Sequence, residues 1–147
     1  VTFGGTSATN ETIFCSGAGG ALQRGVWLAR DGVNSGVNNS FRMGIGNGTA
    51  LTMPSVIGTS LVGVPRVVEG GWTASTVFSG VDGTVVSTAR TGDATPPPQS
   101  SLIGAFSSGP HTLNGPMTAI IYTPVLPSAA DRALIRRFIG SLQGQTL

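Results

Sequence analysis

Six carboxylates, one histidine and one cysteine are the residues from which this 147-residue chain could build chemistry. The acids are Glu11, Asp31, Glu69, Asp82, Asp93 and Asp131. Glycoside hydrolysis needs two carboxyl groups converging on one bond, one as acid and the other as base or nucleophile. The nearest two in sequence, Asp82 and Asp93, fall in separate turn contexts, so paired-carboxylate catalysis is not expected. His111 stands in a Gly-Pro-His-Thr loop with no second His and no Cys beside it, too few ligands for a transition-metal centre. A Ser-His-Asp triad lacks its Gly-x-Ser-x-Gly elbow. Cys15 is alone in the chain; it excludes an intrachain disulfide and is expected as a small buried apolar residue. The expectation is a protein with no catalytic residue and no metal ligand set.

Binding chemistry has one candidate cluster. Trp27, Arg30, Asp31, Asn34 and Asn38 gather at the end of a strand and in the loop after it. An aromatic ring that stacks on a sugar, with Arg, Asp and Asn to bond its hydroxyls, is the composition of a glycan site. The competing reading makes Trp27 a core residue and the polar residues the solvated part of a turn, since turns select Asp and Asn. Asp31 with Asn34, Asn38 and Asn39 also offers oxygens to calcium, although a single carboxylate gives weak affinity. No other cofactor is indicated.

The elements that must position these residues are short. Apolar residues make up 39% of the chain and charged residues 10%, with 23 Gly and nine Pro. Short apolar runs separated by many turns suggest an all-β sandwich. All eight basic residues are Arg, scattered except for Arg136-Arg137, and the net charge is +2. A nucleic-acid face needs a stripe of cations, so nucleic acid is not expected as a partner. No apolar run approaches the ~20 residues of a membrane helix. At this length one domain over 1–147 is expected. Val1 in place of an initiator Met suggests a processed product or a piece of something longer.

Strands are expected at 12–15, at 25–30, at 41–45 where Phe41, Met43 and Ile45 alternate with smaller or polar residues, and at 50–53. Asn47-Gly48 and Asp82-Gly83 are hairpin signals. Glu69-Gly70-Gly71 reads as a break before a strand over 72–80, and 102–106 reads as a buried strand. Residues 96–98 are three prolines in an exposed loop. Asn114 to Tyr122 reads as a turn and a buried strand. A closing helix over about 128–143 is expected, with Ser128 as N-cap, Asp131 three residues on and Gly144 as stop. Leu134, Ile135, Phe138, Ile139 and Leu142 form one apolar stripe on it, with Arg132, Arg136 and Arg137 facing away.

The order of elements over 70–143 resembles the concanavalin A-like (LamG-type) jelly-roll domains of phage virion and bacterial surface proteins. The residues carrying this are Gly71-Trp72, the Asp82-Gly83 hairpin, Leu102-Ile103-Gly104, a final strand from Gly115 to Tyr122, and the helix opening Leu126-Pro127-Ser128-Ala129-Ala130-Asp131-Arg132. Departures are Thr73 where a His often follows the Trp, and opening strands poorer in aromatics. The resemblance implies a concanavalin A-like jelly-roll β-sandwich with one C-terminal α-helix. It further implies a non-enzymatic structural, decoration or adhesion module on a virion or cell surface. Its partners would be other virion or surface proteins and copies of itself. The alternative is a carbohydrate-binding lectin module, assisted by calcium in the Asp31 loop.

Overall fold

The computed structural model describes residues 1–4, 10–16, 24–31, 40–47, 51–56, 61–90, 101–104 and 112–145. In chain order the elements are β1 (Glu11–Ser16), β2 (Arg24–Asp31), β3 (Ser40–Asn47), β4 (Leu51–Thr52), β5 (Ser55–Val56), β6 (Val68–Trp72), β7 (Thr76–Val81), β8 (Thr84–Ala89), β9 (Ser101–Ile103) and α1 (Ala129–Ser141). They form two antiparallel sheets and one C-terminal helix. The larger sheet has the order β4-β3-β2-β1-β9, with β5 also paired to β3. The smaller has the order β6-β7-β8.

Alternation sets the core between them. Phe41, Met43 and Ile45 are all buried along β3, and Val77 and Val81 of β7 pack in the same two apolar clusters. Ser79 sits between those valines, and a buried hydroxyl must find partners. It accepts from the Met43 backbone N–H at 2.6 Å and donates to the Pro54 carbonyl at 2.8 Å, so one side chain links β7 to both β3 and the turn before β5. Cys15 is buried, as its apolar surroundings imply.

The Asp82-Gly83 hairpin forms as its sequence dictates. Val81 pairs with Thr84, and both turn residues take positive φ, 49° and 89°, the backbone of a two-residue type I′ turn. Ser128 caps α1, accepting from the Asp131 N–H at 3.1 Å and donating to its carboxylate at 2.6 Å. Gly144, at φ 70°, ends the turn after the helix.

Three expectations are corrected. Glu69-Gly70-Gly71 is no break but the middle of β6. A Cβ on Gly70 would lie 2.6 Å from Leu28 Cδ1 and 2.9 Å from Met43 Cβ, and one on Gly71 would lie 2.7 Å from the Phe78 ring. The glycines let β6 approach the neighbouring sheet on one side and Phe78 on the other, a use of strand glycine unrelated to turning. Second, Gly115–Tyr122 forms no strand. Its backbone is tied at one end, where Thr2 N–H donates to the Pro116 carbonyl at 3.0 Å. Beyond that, its side chains line the clefts beside β1 and β6, and Ile120, Ile121 and Tyr122 stay substantially exposed. Third, 102–106 is not a buried strand throughout: β9 ends at Ile103, which is exposed on the edge of the sheet, and residues 105 and 106 lie outside the described residues.

The helix is also turned about its axis relative to its apolar stripe. Ile135 and Ile139 face the gap beneath it, but so do two arginines expected to face away. Arg136 bonds Glu69 of β6 at 2.6 Å, and the Arg132 guanidinium lies 4.6 Å from the centre of the Phe78 ring. Leu134, Phe138 and Leu142 are left 56%, 57% and 50% exposed. A carboxylate and an aromatic face on β6 and β7 attract the cations, and the ion pair and the cation–π contact set the helix rotation.

Candidate functional site

Five residues form the binding cluster expected from sequence, and three of them lie among the described residues: Trp27, Arg30 and Asp31. Asn34 and Asn38 lie outside them, as do Asn39 and His111. Strand β2 divides the three. Trp27 and Asp31, four positions apart, share one face of the strand, whereas Arg30 falls on the opposite face with Leu28, which packs against the core. On the first face, Trp27 is half-buried and its indole N–H donates to Thr12 Oγ1 at 3.2 Å. Asp31 is buried and bonds Arg42 Nη1 at 2.9 Å, while Arg42 Nε donates to Ser40 Oγ at 3.1 Å.

Arg30 is the largest fully buried side chain among the described residues. Its Nε and Nη2 both lie 2.7 Å from Glu11 Oε2. Glu11 Oε1 in turn accepts the backbone N–H groups of Gly4 at 3.2 Å and Asn114 at 3.0 Å. The Arg30 guanidinium also lies 5.9 Å from the centre of the Phe3 ring. A buried ion pair persists only when its remaining valences are satisfied, and here the backbone of two distant segments satisfies them. Glu11 was visible in the sequence as an acid but carried no signal of this role.

The same economy runs through the other acids. Asp82 Oδ2 accepts from Arg66 Nη1 at 2.7 Å, and its Oδ1 accepts the Val67 N–H at 2.8 Å. Glu69 holds Arg136, and Asp131 serves the cap of α1. Among the described residues no group of three or more His, Cys, Asp or Glu side chains gathers as a metal site.

Sequence reasoning missed an apolar cleft of about 320 Å³ at the open side between the sheets. Phe14, Met43, Trp72, Ile103, Ile121 and Tyr122 are among its walls. Gly70 and Gly71 keep one wall flat for want of side chains. Its contributors are scattered over six segments of sequence, so no local pattern marked it. No protein-family model, no curated protein and no solved structure matches the chain.

The five described carboxylates are each engaged by an arginine or a helix terminus. What the surface does offer is apolar area, on the outer side of α1 and along 120–126.

Proposed function

We propose that this chain is a non-enzymatic structural, decoration or adhesion module of a phage virion or bacterial surface. In this reading it is a concanavalin A-like jelly roll that acts through contacts with other surface proteins and with copies of itself. The observation that carries the reading is the use of its acids: Glu11, Asp31, Glu69 and Asp82 each pair with an arginine from another segment, and Asp131 caps α1. Among the described residues, these acids help hold the fold together. Exposed aliphatic and aromatic side chains, Tyr122 at 71% and Val125 at 75% among them, are the material of protein contacts.

The test is binding of the purified protein to a panel of glycans and bacterial envelope fractions, with calcium and with chelator. The proposed reading expects no saturable glycan binding and no effect of chelator, with retention on envelope or virion protein. Saturable binding to one glycan, lost in Trp27→Ala while the fold survives, would replace it with the carbohydrate-binding lectin module. Loss of that binding in chelator would make the Asp31 loop a calcium site.

A further inference from the structure

We infer that α1 is the self-association surface, pairing antiparallel with α1 of a second copy across a twofold axis at Leu134. The inference rests on the self-association part of the proposed function and names the surface and its geometry.

Five residues around the same point on the helix are exposed together: Ala130, Asp131, Leu134, Arg137 and Phe138. They are Leu134 and its neighbours at three and four positions on either side, which share one face of an α-helix. The opposite side is already occupied, by Arg136 on Glu69 and Arg132 over Phe78. In an antiparallel pair crossing at Leu134, a residue a given number of positions before it meets the residue the same number after it on the partner helix. Asp131 therefore meets Arg137 of the second copy, twice by symmetry. Ala130 meets Phe138, so the largest side chain of the face enters the space left by the smallest. Both correspondences are self-complementary, which a twofold interface requires. The antiparallel arrangement also sets opposite ends of the helix dipoles side by side.

The face is small. Only two large apolar side chains, Leu134 and Phe138, lie at its centre, well short of the ~800 Å² per partner of standard interfaces. The pair is thus reversible in dilute solution, and repetition on a surface would raise its effective strength. An exposed face also allows substitution without disturbing the fold.

The experiment is light scattering over a range of concentrations, with oxidative cross-linking of Leu134→Cys. The native thiol, Cys15, is buried and takes no part. The mass is expected to rise with concentration from 14.8 kDa toward twice that value. Phe138→Glu and Arg137→Asp should hold it at the monomer with unchanged circular dichroism. Leu134→Cys should form a disulfide dimer much faster than Ala74→Cys, in the turn between β6 and β7. A dimer that survives Phe138→Glu, or equal cross-linking of the two cysteine variants, overturns the helix pairing while self-association stands. A protein that stays monomeric at every concentration overturns both.

Discussion

Glu11 and Arg30 meet across β1 and β2 with two guanidinium nitrogens 2.7 Å from a single carboxylate oxygen, and neither side chain is more than 1% exposed. A pair this deep is costly to half-remove, because the surviving charge keeps its burial and loses its partner. Arg30→Met is expected to lose about 3–5 kcal/mol of stability in urea unfolding. Glu11→Gln/Arg30→Met should recover part of that loss, because no uncompensated charge remains. A double variant no more stable than Arg30→Met would show that the guanidinium acts by packing on Phe3 and not by charge.

Gly70 has no space for a side chain. Its Cβ would lie within 2.9 Å of both Leu28 and Met43, and overpacking against such side chains costs about 1–3 kcal/mol. Thermal melts of Gly70→Ala should show that loss. A melt equal to wild type would mean that β6 sits farther from β3.

Asp82 combines a turn conformation at φ 49° with two hydrogen bonds to the segment before β6. Asn tolerates that backbone and keeps an acceptor for the Val67 N–H. Asp82→Asn should therefore be milder than Asp82→Ala, which is expected to cost about 1–3 kcal/mol by leaving donors unpaired. The ranking is read from denaturation midpoints.

Ser128→Ala removes the side-chain acceptor for the Asp131 N–H. The loss should be about 1 kcal/mol, accompanied by fraying of the first turn of α1 in amide hydrogen exchange.

The readable parts of this fold are those where one local rule decides. The strand at 41–45, the Asp82-Gly83 turn and the Ser128 cap need only neighbours in sequence, and each forms in the structure, although Arg42 between the apolar residues is buried as well. The parts that could not be read depend on what lies across the fold. Gly70-Gly71 carries the composition of a turn, yet its meaning comes from Leu28, Met43 and Phe78. The rotation of α1 follows from Glu69 and Phe78, not from its own stripe. The Trp27 cluster looked contiguous in sequence, but strand geometry sends Arg30 to the other face, where Glu11 holds it. The cleft had no sequence signature because its walls come together only after the sheets do.

The reach of Glu11 bears on how this protein is made. One of its oxygens accepts from Asn114, 103 residues later in the chain, while the other holds Arg30 nearby. During synthesis β1, β2 and β3 leave the ribosome long before their carboxylate can be closed off. The first hairpins must wait with that group hydrated, and loop closure over so long a span is slow. Closure of this carboxylate is thereby deferred until Asn114, which follows the last strand of the larger sheet, has emerged. A nascent chain arrested before Asn114 should then remain sensitive to protease, and one arrested after α1 has emerged should resist it.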